Sequence, residues 1–213
     1  MNGFVLSDWS NVASVTSVAP PAAPTSLKAS LGRGLQVLLS WQDNATNETG
    51  FTIERADNGG AFGQISTLGA FKKTGKVTFT DSTVLPGHTY SYRVAAMLGT
   101  ELSPYSGTAG AVVPAVPAAP SNVTVSVIRN GASDRVTLHW TRNSTNNTGF
   151  VIQRCTTPGF LYELSTFIVG SASATSFTQT TNRHVAYYYR VAAVGSIGWS
   201  DWVNATPFPI ATP

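Results

Sequence analysis

The sequence predicts an all-β chain folded as two tandem β-sandwiches joined by a Pro-rich linker, and three observations carry that expectation. A stretch running from Trp41 to Arg55 returns at the same length from Trp140 to Arg154, with Trp, Asn, Thr, Asn, Thr, Gly, Phe, Ile and Arg repeated in place. Self-similarity at a domain-sized period marks duplicated modules. Short runs alternate apolar and polar residues with period two between turn-forming clusters, and no segment shows helical periodicity. Only 11% of the 213 residues are charged, against a usual quarter. Solubility therefore rests on hydroxyls and amides, as at the surface of an extracellular β protein.

Taken in order, residues 1–19 come first and have no module before them. Asp8-Trp9-Ser10-Asn11-Val12-Ala13-Ser14-Val15 resembles Pro104–Ala111 and Asp201–Thr206, which end the two later modules. Residues 1–19 are thus an orphan terminal strand, 20–114 module one, and 115–213 module two with a C-terminal Pro-rich linker. Ala19–Pro24, Pro114–Pro120 and Pro207–Pro213 are related joints, and Pro-rich joints are extended and semi-rigid. A chain cut out of phase with its own repeat is expected to be a slice of a longer array, or a subunit that completes its ends with neighbours.

In module one, Leu35–Trp41 reads as a strand whose tryptophan anchors the core, and Asp43–Gly50 as a polar turn. Phe51–Arg55 alternates, Asn58-Gly59-Gly60 turns, Phe62, Ile65 and Leu68 continue the apolar set, and Val77–Asp81 is a further strand. Leu85-Pro86-Gly87-His88 leads into a long strand with Tyr90, Tyr92, Val94 and Ala96 inward and Ser91, Arg93 and Ala95 outward. Module two repeats the order with Val136–Trp140, Phe150–Arg154, Leu164–Val169, Thr175–Thr178 and Tyr187–Ala193.

Each module resembles a fibronectin type III domain, an immunoglobulin-like sandwich. The resemblance rests on the Pro-rich entry, Trp41 or Trp140 on the second strand, and the Leu85–Val94 signature. It covers about Pro21 to Phe208 and implies that Tyr90 and Tyr187 form the family's tyrosine corner, with Trp41 and Trp140 as core residues. Module two departs at the corner, where Asn182-Arg183-His184-Val185-Ala186 replaces Leu-Pro-Gly-His-Thr. The resemblance implies spacer, adhesion or accessory roles rather than catalysis, although fold alone never settles function.

The remaining chemistry is sparse. His88, His139 and His184 have no ligand-spaced partner, no catalytic motif is present, and Asp43 and Glu48 do not make an acid/base pair. No enzyme activity, cofactor or metal is expected, and catalytic, cofactor-binding and metal residues are none. The net charge of +3 is too small and scattered for nucleic acid, and no signal peptide or membrane-inserting run occurs. Location at the cell surface or outside it is expected, with any export signal outside this chain. Lys72, Lys73 and Lys76 read as a solvated hairpin tip or a protected edge strand. Cys155, the only cysteine, is either a small residue near a strand end or a thiol that pairs between chains. Neither hairpin loop at Leu98–Leu102 and Gly195–Gly198 carries an Arg-Gly-Asp tip.

Trp199-Ser200-Asp201-Trp202 resembles the W-S-x-W part of the cytokine-receptor signature, which implies a cation–π stack fed by Arg190 and Arg154. Alternatively Trp9, Trp199 and Trp202 form an exposed patch for partner chains or sugars. Asn44, Asn47, Asn122, Asn143, Asn146 and Asn204 are sequons. They either carry glycans or serve turn chemistry. The functional expectation is a non-catalytic extracellular structural or adhesive repeat. It self-associates or contacts neighbouring modules, assembling head-to-tail into filaments or surface arrays by docking Phe4–Val18 on an exposed sheet edge, with Trp9, Val12 and Val15 setting register. The competing expectation is a spacer or carbohydrate-binding accessory region of a larger secreted enzyme.

Overall fold

The computed structural model describes residues 18–71 and 73–211. Module one contains β1 (Thr25–Leu31), β2 (Val37–Asp43), β3 (Gly50–Asp57), β4 (Gly63–Gly69), β5 (Gly75–Asp81), β6 (Thr89–Leu98), β7 (Glu101–Leu102) and β8 (Ala109–Val112). These form two sheets, β1-β2-β5 and β4-β3-β6-β7, with β8 also on β6. Module two contains β9 (Ser121–Asn130), β10 (Ser133–Thr141), β11 (Gly149–Cys155), β12 (Ser165–Val169), β13 (Ser176–Thr181), β14 (Ala186–Gly195), β15 (Gly198–Trp199), β16 (Val203–Asn204) and β17 (Ile210–Ala211). Its sheets are β13-β10-β9 and β12-β11-β14-β15, with β16 and β17 on β14. Among the described residues these strands pair antiparallel and within their own module, and Thr206 adds one parallel bridge to Thr124 on β9.

Period-two alternation delivers one face of each sheet to a core. In module one that core gathers Val37, Leu39, Trp41, Phe51, Ile53, Tyr90, Tyr92 and Val94; in module two it gathers Val136, Leu138, Trp140, Phe150, Ile152, Tyr187, Tyr189 and Val191. Each such side chain contributes about 1.5–3 kcal/mol when fully buried. Trp41 meets Phe51 edge-on at 5.7 Å, and Trp140 meets Phe150 at 5.1 Å.

Three details differ from the sequence reading. The first strand of each module, β1 or β9, has no counterpart there. Ser26 (φ 55°) and Asn122 (φ 51°) turn left-handed, and register shifts beside them break the alternation. Ala95 is fully buried beside its cross-strand neighbour Thr52, so the outer face of that sheet is partly covered. Residues 207–211 of the C-terminal Pro-rich segment do more than link. Thr206 leaves β14 to exchange hydrogen bonds with Val123 and Val125, Pro207 and Pro209 supply no N–H, and Ile210–Ala211 returns to pair with Tyr187 and Ala186.

The corner turn survives in both modules. The Leu85 N–H donates to the Tyr90 hydroxyl at 2.8 Å. Gly87 takes φ 80°, and His184, at the matching place three residues before Tyr187, takes φ 60°. Loss of the glycine therefore leaves the left-handed step in place.

Candidate interaction site: the inter-module joint and the arginine stacks

The repeated arginine at the end of β3 and β11 organises a polar hub between the sheets. In module one, Asp81 on β5 accepts from Arg55 Nη1 (2.8 Å), the Tyr92 hydroxyl (2.9 Å), and the Thr83 N–H and hydroxyl (2.9 and 2.7 Å). Burial pushes the Asp81 carboxyl upward, but the Thr83, Arg55 and Tyr92 hydrogen bonds outweigh it and hold it below its ordinary value. Burial and then the Asp81 charge drive the Tyr92 hydroxyl far up. In module two Gln179 takes the place of Asp81. It donates to the Tyr189 hydroxyl at 2.6 Å and lies 3.5 Å from Arg154 Nη1. Tyr189 is pushed up to about 12, chiefly by burial. Arg55 covers the Tyr90 ring and Arg154 covers the Tyr187 ring, each at 4.8 Å.

A second stack lies on the outer face of the larger sheet. Arg93 sits between Phe62 (4.4 Å) and Tyr105 (3.9 Å) and pairs with Glu54 at 2.6 Å, which also accepts from the Tyr105 hydroxyl at 2.6 Å. Burial raises the Glu54 carboxyl, yet the hydrogen bonds from Tyr105 and Arg93 and the Arg93 charge leave it below its ordinary value. Arg190 repeats the arrangement between Phe160 (4.2 Å) and Trp202 (4.5 Å), donating to Gln153 at 2.8 Å. The expected tryptophan stack thus takes its cation from Arg190. Arg154 does not join it, because period two places Arg154 on the inward face with Phe150 and Ile152. Trp199 meets Trp202 edge-on at 5.7 Å and keeps 49% of its surface exposed.

The sequon asparagines of the duplicated turn reach the linkers. The Nδ2 atoms of Asn44 and Asn47 donate to the carbonyls of Ala23 (2.8 Å) and Ala19 (2.9 Å). Those of Asn143 and Asn146 donate to the carbonyls of Ala119 (2.9 Å) and Ala115 (2.8 Å). Both pairs clamp carbonyls four residues apart, and Pro21, Pro24, Pro117 and Pro120 are buried beneath. Asn122 donates weakly to the Thr141 hydroxyl (3.3 Å), and Asn204 is exposed on β16.

The second linker is held from both ends. The Gly87 N–H donates to the carbonyls of Val113 and Pro114 at 3.1 Å. A Cβ on Gly195 would lie 2.8 Å from Pro117 Cδ, so the proline ring needs a glycine there. Beyond it, Ile197 at the tip of the β14–β15 hairpin packs against the core cluster of module one. No sequence signal marked Gly195 or Ile197 as joint residues.

Trp9, Val12 and Val15 lie outside the described residues. Cys155 is 1% exposed and its thiol donates to the Thr157 carbonyl. Lys76 is exposed on edge strand β5, and Lys73 lies in the connection before it. His88 pairs with Asp57 at 2.8 Å. Among the described residues no group of three or more His, Cys, Asp and Glu gathers to hold a metal, and no helix is long and apolar enough to cross a membrane.

No family model and no curated protein matches the chain. Solved structures do. The FN1–FN3 domains of chicken CNTN1 are 20% identical with a TM-score of 0.51, over 92% of this chain and 67% of that one. A two fibronectin type III domain segment from chicken tenascin is 15% identical with a TM-score of 0.42, over 89% and 99% of the two chains. The CNTN1 likeness agrees with the sheet order, the buried tryptophan and the tyrosine corner: the chain has the fold of two tandem fibronectin type III domains.

Proposed function

We propose that the chain is a non-catalytic structural repeat of an extracellular or cell-surface protein, serving as a rigid spacer whose joints fix the relation of neighbouring modules. One observation carries this reading. The linker is gripped by Asn143 and Asn146, seated on Gly195, and capped by Ile197 against module one. A passive tether needs none of these contacts. The same asparagine grip recurs on Ala19 and Ala23. Residues 8–18 precede Ala19 in the register in which residues 104–114 precede Ala115. On this reading they serve as the last strand of a neighbouring module, and head-to-tail assembly into filaments or surface arrays follows from that role. Small-angle scattering of the chain with and without Ile197→Asp tests the joint. A well-defined interdomain distance that broadens in the variant supports the spacer, and equally broad curves for both overturn it. Deleting residues 1–17 tests the assembly: self-association unchanged by the deletion removes the terminal strand from the account.

A second reading, a carbohydrate-binding accessory region of a secreted enzyme, is favoured by half-exposed Trp199 against Trp202. Tryptophan fluorescence titrated with neutral oligosaccharides tests it, and a flat response at saturating sugar removes it.

A further inference from the structure

Among the described residues the larger sheet of each module has a free edge, β4 in module one and β12 in module two. The two edges are built differently. Pairing of β4 carries a register shift between Ile53 and Glu54, glycine stands at both ends, and exposed Gln64 and Thr67 are polar. Irregular, polar edges turn other strands away. β12 keeps an unbroken register from Phe150↔Val169 to Arg154↔Ser165 and contains no charge, glycine or proline. Its Ile168 is 77% exposed. A straight, neutral, apolar edge offers unpaired main-chain groups to another strand.

The connection leading into β12 adds a second observation. Residues 155–164 replace 56–62 of module one, three residues longer between the same cross-strand partners. Phe160 (φ 54°) and Glu163 (φ 50°) both stand left-handed, at about 1–2 kcal/mol each for a non-glycine residue. Glu163 accepts from the Thr156 hydroxyl at 2.7 Å, and Phe160 is anchored under Arg190 with 7% exposure. The result holds Leu161 (76% exposed), Tyr162 (72%) and Leu164 (42%) outward beside the start of β12. Backbone strain that holds apolar side chains in water marks a contact surface.

We propose that β12 pairs antiparallel with β12 of a second copy of this chain, forming a two-fold dimer through module two. Centring the two-fold on Phe167 sets Thr166 opposite the partner's Ile168 and Ser165 opposite the partner's Val169, so no like charges meet. Leu161, Tyr162 and Leu164 then lie toward the far end of the partner strand. The space around the matching Gly170 is open there. Complete covering of these side chains and Ile168 sets an upper bound on the order of 500 Å² per copy, or about 1,000 Å² for the pair, at the lower limit of specific interfaces. The dimer is accordingly weak. Because the contact is isologous it closes on itself, and it is independent of the joint and of the terminal strand.

Sedimentation velocity of the full chain from micromolar to millimolar concentration tests the pairing, alongside Ile168→Lys and the matching module-one change Thr67→Lys. Both positions are exposed, so circular dichroism should report unchanged folds. The expected result is a reversible monomer–dimer equilibrium weakened at least about tenfold by Ile168→Lys and unchanged by Thr67→Lys or by deleting residues 1–17. A monomer throughout, a dimer indifferent to Ile168→Lys, or one lost only on the terminal deletion overturns the proposal.

Discussion

In module one the arginine of the repeated stretch, Arg55, meets a carboxylate; in module two its counterpart Arg154 meets an amide. Asp81 and Gln179 occupy the same place, paired across from Val37 and Val136. The outer face shows the same exchange, with Glu54 beside Arg93 and Gln153 beside Arg190. What stays fixed is the stacking of each arginine on an aromatic ring, at 4.8 Å in both hubs. The arginine is therefore placed by packing and cation–π attraction, and the counter-charge is replaceable. Two arginine–carboxylate pairs of module one, Arg55–Asp81 and Arg93–Glu54, have arginine–amide counterparts in module two, so the two should differ in what breaks them.

The largest expected effect comes from removing one partner of the charged hub. Asp81→Ala leaves the Tyr92 hydroxyl without its acceptor and the Arg55 guanidinium with only the Thr83 hydroxyl at 2.8 Å, and should cost module one about 3 kcal/mol. Gln179→Ala should cost module two only about 1–2 kcal/mol. Amide hydrogen exchange resolved by residue separates the modules, and equal losses would erase the distinction.

Asp134 makes the converse comparison. It is fully buried at the start of β10, and neither carboxylate oxygen meets a hydrogen-bond donor. Six residues before the core tryptophan module one instead has Leu35, exposed and ahead of β2. Asp134→Leu should stabilise module two by on the order of 1–3 kcal/mol, read as a higher midpoint in urea.

Acid sharpens the comparison further. Asp81 and Glu54 are held below their ordinary values. Their contribution is present above the unfolded carboxylate range of about 4 and is lost as pH falls through the lower folded values. Asp43 acts in the opposite sense. Burial, and next to it the Glu48 charge, raise it, so protonating it favours the fold. With two groups against one, module one should lose its amide protection at higher pH than module two, whose hubs hold Gln179 and Gln153. An NMR acid titration in which both modules unfold together would contradict this.

The smallest effect concerns the corner turn. His184→Gly relieves a left-handed histidine and should stabilise module two by about 0.5–1 kcal/mol, whereas Gly87→Ala strains φ 80°. Thermal melting of the two variants should move in opposite directions.

Much of the fold was legible because the repeat fixed the phase of both modules and alternation fixed their faces. Trp41, Trp140, Tyr90 and Tyr187 fall where that phase puts them, and Arg190 stacks on Trp202 because both face outward. The first strands were not legible, since Ser26 and Asn122 break the alternation that reveals a strand. The asparagine grip was hidden for a different reason. Turn chemistry, sequons and linker clamps use the same letters, and only the positions of the Ala19, Ala23, Ala115 and Ala119 carbonyls separate them. Ile197 gave no signal at all, because its partner belongs to the other module.

The most direct measurement is the distance distribution between spin labels placed on exposed positions of the two modules, in the otherwise native chain and in Asn143→Ala/Asn146→Ala. A clamped joint predicts one narrow distribution that widens when both amides are removed. A native distribution already as wide as that of the variant would contradict the rigid spacer.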